Sequence, residues 1–222
     1  VQLTNEIIGI DLGIKDLAVV SNGLVFKNIN KTKTVKKLKA KLKRLQKQVS
    51  RKYIMNKEGN RYLKTANIVK LEKQIRLLHR RLKNLRENQR HQITTLLVKT
   101  KPAKIVVQDL DVKKMMKNKH LSDAIRKQGF YEFRRQLEYK CNFRGIELVV
   151  ADRFYPSSKL CSNCGYKNKD LTLKDRNWCC PKCSTEHDRD VNASININKE
   201  GLRIIGGRTT ELTLVDIPLL VE

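Results

Sequence analysis

Cys161-Ser-Asn-Cys164 and Cys180-Pro-Lys-Cys183 are separated by 15 residues. Each Cys-x-x-Cys turn directs two thiolates to one side, and Gly165 lets the backbone reverse after the first pair, so the spacing predicts one tetrahedral site for structural Zn2+. A redox dithiol would need no twin at this distance. Cys141 and Cys179 fall out of register and are expected to be buried thiols, and His187 is left out because four thiolates already close a site. A second group offers oxygen: Asp11 after the apolar run EIIGI, Gln108 at the end of IVVQ, and Asp188 and Asp190 in HDRDVNASINI. Singly these are weak signals, since an Asp after a strand often forms a turn and acids favour helix N-termini. Jointly, an acid on a first strand, a polar residue closing a fourth and an acid opening a last helix suit hard cations. Two Mg2+ roughly 3.5–4 Å apart would clamp the attacking and leaving oxygens of a phosphodiester displacement.

The elements that must position these residues are readable from periodicity. EIIGI, LAVV and LVF, with Asn22-Gly23 as a two-residue turn, predict three short antiparallel strands. Residues 31 to 52 carry 11 basic residues and no acid, yet Val35, Leu38, Leu42, Leu45 and Val49 step by three and four. A second seam runs through Leu71, Ile75, Leu78, Leu82 and Leu85, so the two segments should pack as an antiparallel helical hairpin with basic outer faces. Pro102 ends the helical region, and IVVQDL reads as a buried strand. Residues 123 to 143 read as one helix with Gly145 as its stop, IELVVADRF as another buried strand, and VNASINI as a last helix that Gly201 ends. Strands, helices, strand, helix, strand, insertion and helix in this order suit an α/β, ribonuclease H-like mixed sheet, which would gather Asp11, Gln108 and Asp190 at one edge.

Composition narrows the partners. The 222 residues allow one substantial core and a small satellite. A net charge of +26 points to nucleic acid, because phosphates reward a dense cationic surface through counterion release. No stretch is apolar and long enough to span a bilayer and no secretory layout opens the chain, so a soluble intracellular protein is expected. Val1 leads almost directly into a strand, which suggests a piece of a longer protein.

GIDLGIKDLAVVSNG, LHRRLKNLRENQRHQ, KIVVQDLDVKKM, RFYPSSKLCSNCG, WCCPKC and HDRDVNASINI together closely resemble the RuvC-like nuclease portion of the TnpB family, transposon-encoded RNA-guided DNA endonucleases related to type V CRISPR effectors. The resemblance implies that Asp11 and Asp190 are catalytic carboxylates holding Mg2+, with Asp188 a neighbour, and that Cys161, Cys164, Cys180 and Cys183 hold zinc. It implies a RuvC-like core over residues 1–156 with the basic hairpin at about 31–98, a nucleic-acid-binding zinc ribbon over 157–187, a final core helix over 188–205 and a C-terminal tail over 206–222. Guide RNA and target DNA are the implied partners, N-terminal wedge and recognition modules of the same protein are expected, and the setting is prokaryotic, cytoplasmic and nucleoid-associated. The family's middle catalytic residue is a Glu where this chain has Gln108. A neutral amide coordinates Mg2+ only through its oxygen, and losing a ligand charge should cost at least ~10²-fold, or ~2.7 kcal/mol of barrier. Asp109 faces the other way along the strand and offers no rescue. Two readings follow: a two-metal nuclease crippled at Gln108, or a nuclease-dead RNA-guided DNA-binding repressor descended from one.

Overall fold

Alternation of Ile and Val with small or polar residues draws β1 (Ile7–Leu12), β2 (Asp16–Val20) and β3 (Val25–Lys27) into an antiparallel meander. In the computed structural model, which describes residues 2–172 and 174–212, the chain then forms α1 (Lys33–Met55), the short pair β4 (Lys57–Glu58) and β5 (Arg61–Tyr62), and α2 (Ala66–Lys99). There follow β6 (Lys104–Gln108), α3 (Val112–Met116), α4 (Lys119–Gln128), α5 (Phe130–Asn142) and β7 (Glu147–Ala151). The last elements are β8 (Asn177–Cys179), β9 (Glu186–Asp188) and α6 (Arg189–Leu212).

Two compact units result. Residues 28–92 form the basic hairpin unit, in which Val35, Leu42, Leu45, Leu78 and Leu82 make the buried seam that the spacing predicts. The described residues before 28 and after 92 form the other, built on a five-stranded mixed sheet of order β3-β2-β1-β6-β7. β6 and β7 run parallel to β1, while β2 runs antiparallel to it. This is the expected ribonuclease H-like sheet.

Each face of the sheet has its own cover. Ile8 and Ile10 of β1 with Ile105 and Val107 of β6 pack against Phe130, Phe133 and Leu137. The alternate residues, Val106 with Val149 and Ala151, pack against Ile197 of α6. Two glycines let α6 lie close. A Cβ on Gly9 would stand 2.3 Å from the Ser194 carbonyl oxygen, and one on Gly201 would stand 2.3 Å from Cγ2 of Val106.

Three local expectations are corrected. Gly201 does not end the last helix: α6 runs through it to Leu212, because this glycine serves a close approach to the sheet. Part of the expected tail, 206–212, is therefore helical, and 213–222 lie outside the described residues. Residues 123 to 143 are not one helix, since Gly129 adopts a left-handed conformation (φ 67°) that closes α4 and opens α5. Cys141 is buried but Cys179 is exposed, because β8 turns Trp178 inward and its neighbours outward. Gly201→Ala tests the close approach. Overpacking against Val106 should outweigh the gain in helix propensity and lower stability by about 1–2 kcal/mol in a denaturant melt; a more stable variant would refute it.

Candidate functional site

Strand phase decides which side chains meet. In the parallel pairing of β1 with β6, Ile7 faces Lys104, Gly9 faces Val106, and Ile10 faces Val107. One step further along both strands stand Asp11 and Gln108, in phase with the residues that face α6. Asp190 occupies the first turn of that helix, whose N-terminal dipole favours a negative charge. Asp190 is near enough to act on Asp11. Burial first, and the Asp190 charge second, push the Asp11 carboxyl from 3.8 to about 7, and the Arg189 guanidinium only partly opposes them. Asp190 has a side chain 15% exposed and lies 3.4 Å from Arg176 Nη1 and 3.7 Å from Arg189 Nε.

Asp188 has a different occupation. Its Oδ1 accepts the backbone N–H groups of Asp190 (3.0 Å) and Val191 (3.1 Å), which caps α6. Asp109, out of phase with Gln108, pairs with Arg134 at 2.8 Å and with Arg153 at 2.5 Å.

Gln108 is oriented by the segment after β7. Its Nε2 donates to the carbonyls of Tyr155 (2.7 Å), Asp152 (3.1 Å) and Arg153 (3.4 Å), and its Oε1 accepts from the Ser157 hydroxyl at 2.9 Å. Sequence reasoning missed this, because the partners are main-chain carbonyls.

The four cysteines Cys161, Cys164, Cys180 and Cys183 bring their Sγ atoms within 4.8 Å of one another. Cys161 to Cys183 and Cys164 to Cys180 are each 3.6 Å apart. Tetrahedral thiolates about 2.3 Å from a central zinc would be about 3.8 Å apart, so the donor set fits that ion. Hydrogen bonds from the Thr185 hydroxyl and backbone hold the Cys183 thiol down to about 6, which favours a thiolate. His187, set aside as a ligand, lies with Nε2 3.0 Å from Cys161 Sγ, and its ring packs against that of Trp178, tilted by 41° with centroids 4.8 Å apart. Its neighbour in the fold is α6, which also holds the approach to the first knuckle. Asn192 accepts from the Ser162 N–H (2.9 Å) and donates to the Leu160 carbonyl (2.6 Å), while Asn196 donates to the carbonyls of Leu160 (2.7 Å) and Ser157 (2.8 Å). Both asparagines are buried. Their i, i+4 spacing on the final helix was the one available signal.

The hairpin unit presents cations. Lys43, Arg44, Lys47 and Arg51 line one shallow depression of about 470 Å³, and Arg80 and Arg81 with Asn84 and Asn88 line another of about 450 Å³. No helix among the described residues is long and apolar enough to cross a membrane.

With this geometry in hand, comparison is informative. Residues 1–119 match the family OrfB_IS605, described as "Probable transposase", and residues 130–197 match the Cas12f1-like TNB domain. A Streptomyces pristinaespiralis protein named "Putative RNA-guided DNA endonuclease" is 39% identical over 199 residues, covering 90% of this chain and 46% of its own. The Escherichia coli K12 protein named "Putative RNA-guided DNA endonuclease InsQ" is 32% identical over 215 residues, covering 90% and 50%. The chain thus spans about half the length of these relatives. Its fold is that found in the Cas12f1-sgRNA-target DNA complex, with a TM-score of 0.58 at 22% identity over 86% of this chain and 49% of the other. The matched segments and the motifs agree, and the chain belongs to the OrfB_IS605 family, the TnpB family that its sequence resembles.

Proposed function

We propose that this chain is the RuvC-like nuclease portion of a TnpB-type RNA-guided DNA endonuclease, with cleavage crippled by Gln108. The observation that carries the reading is the placement of three residues from distant parts of the chain: Asp11 and Gln108 stand in phase on the sheet face that α6 covers, and Asp190, in the first turn of α6, is near enough for its charge to raise the Asp11 carboxyl. A buried carboxyl raised in this way, with a second acid near it, fits a divalent cation, which would relieve the burial and the repulsion at Asp11. Asp11 and Asp190 would hold Mg2+, and Gln108 is the residue at the family's Glu position. When bound, the metal supplies charge stabilisation to the attacking and leaving oxygens of phosphodiester hydrolysis. Arg176 and Arg189 lie against Asp190 and orient its carboxylate. The four cysteines would hold a structural Zn2+, and the basic faces of the hairpin would contact the phosphates of guide RNA and target DNA, in a prokaryotic cytoplasm at the nucleoid.

The second reading, a guided DNA-binding repressor without cleavage, is favoured by one observation: the Gln108 carboxamide is bonded through both its nitrogen and its oxygen to the 152–157 segment. One experiment separates the two. In the full-length protein, loaded with guide RNA and given Mg2+ and matched DNA, Gln108→Glu should raise the cleavage rate at least ~10²-fold. A variant that binds the matched DNA yet stays uncut supports the repressor. Failure of either protein to bind guided DNA overturns both.

A further inference from the structure

Position 108 is expected to supply a ligand, yet its side chain is committed elsewhere. The two N–H bonds of Nε2 face three converging carbonyls, those of Asp152, Arg153 and Tyr155. The amide cannot be turned over. Exchange of oxygen and nitrogen would set Oε1 against three carbonyl oxygens, whereas the Ser157 hydroxyl accepts or donates with equal ease. The segment is otherwise folded on itself: Asp152 Oδ1 accepts the Phe154 N–H (2.7 Å), Asp152 O accepts the Tyr155 N–H (3.2 Å), and Tyr155 O accepts the Ser157 N–H (2.8 Å). The Asp152 and Tyr155 carbonyls each keep a second lone pair beyond these turn bonds, and Gln108 is the side chain that donates to them and to the Arg153 carbonyl. Beyond Ser157 the chain of bonds continues. The Ser157 carbonyl accepts from Asn196, which also binds Leu160, the residue before Cys161.

We propose that Gln108 is a positioning residue, a latch that fixes the 152–157 segment and, through Ser157 and Asn196, seats the first cysteine knuckle against the nuclease sheet. The latch needs both properties of a carboxamide, donors and neutrality. A carboxylate of the same shape has no hydrogen to offer and would meet the negative ends of three carbonyl dipoles. An acid at this position and the present loop conformation are therefore incompatible, and the loop must open when an acid is installed. The proposal rests on the nuclease reading solely for what position 108 does in relatives; the latch itself concerns this chain's own bonds.

Hydrogen exchange on the zinc-loaded full chain without Mg2+ tests it, read at the amides of Phe154, Tyr155 and Ser157. Gln108→Met keeps the length and removes the donors, and should speed exchange of these amides ~10- to 100-fold. Gln108→Glu keeps the shape and adds charge, and should speed it at least as much. Ser157→Ala removes one arm and should have a smaller effect, below ~10-fold. Amides of the β1–β6 ladder serve as the control and should be unchanged, which separates local release from global unfolding. A side chain that merely fills space predicts that both isosteres leave the loop protected, and that result overturns the latch. Because Mg2+ and DNA are absent, this outcome is independent of whether Gln108→Glu restores cleavage.

Discussion

Stripping the zinc from the full chain with a strong chelator should unfold the ribbon and leave the five-stranded sheet standing. The ribbon's core consists of Cys161, Leu171, Trp178 and Cys180, with Cys164 and Cys183 packed against it. Four of these six side chains are the proposed ligands themselves, so the segment has little apolar area of its own to bury. Its regular structure is a pair of three-residue strands, which is marginal in water without further support. Structural zinc in small modules contributes about 10–16 kcal/mol of apparent binding free energy, far more than the remaining contacts. Trp178 reports the event. It is the chain's single tryptophan and is 8% exposed, so its emission should shift to the red on chelation and return with added Zn2+. Cys180→Ser should produce the same shift without chelator. An unshifted spectrum, or purified protein lacking one equivalent of zinc, would count against the site.

Asp11→Asn should have opposite effects on stability and on chemistry. The Asp11 carboxyl is raised from 3.8 to about 7 by burial and then by Asp190. Between about pH 4 and pH 7 the folded protein therefore holds a proton at Asp11 that the unfolded chain has released. Stability from this group falls as pH rises through that window and is level above it. The full shift corresponds to about 4 kcal/mol, and relaxation of the folded protein around the charged carboxylate reduces it to about 2–4 kcal/mol. Without divalent cations, Asp11→Asn should be more stable than the parent by that amount at pH 8, with the difference shrinking toward pH 4. Urea melts at several pH values measure it. In a full-length Gln108→Glu background the same substitution should abolish Mg2+-dependent cutting. A destabilised asparagine variant at pH 8 would mean that Asp11 is held by partners that need its charge.

What the sequence conveyed was mostly phase. The seam of the hairpin and the strand order follow from side chains that recur at three, four or two residues, and that regularity survives folding because it is a property of the backbone. The same phase puts Asp11 and Gln108 on the α6 side of their strands and Asp109 on the other. Glycine was less legible. Gly129 and Gly201 look alike in the sequence, yet one takes a left-handed turn between helices and the other stays helical because Val106 leaves no room for a Cβ. The partners of Gln108 were hidden for a deeper reason: they are carbonyl oxygens, which every residue has, and only the turn of the 152–157 segment brings three of them together. Cys179 shows the converse, since a cysteine outside the ligand register was expected to be buried while a three-residue strand turned it out.

The junction of β9 with α6 has no spacer: Asp188 is still paired with Asn177 when Arg189 begins the helix, and the Arg189 N–H is bound to the Arg176 carbonyl at 2.7 Å. Each residue of an α-helix turns the chain by about 100°. One residue added or deleted at this seam would swing the Asp190 carboxylate away from Asp11, and the stretch before β8 is tied to the same seam, since Arg176 pairs with Asp190 and the Thr172 and Asp175 carbonyls accept from Arg189. A chimera that borrows another ribbon should therefore keep the pairing of β8 with β9 and the register into α6, with no residue added or removed between Asp188 and Asp190.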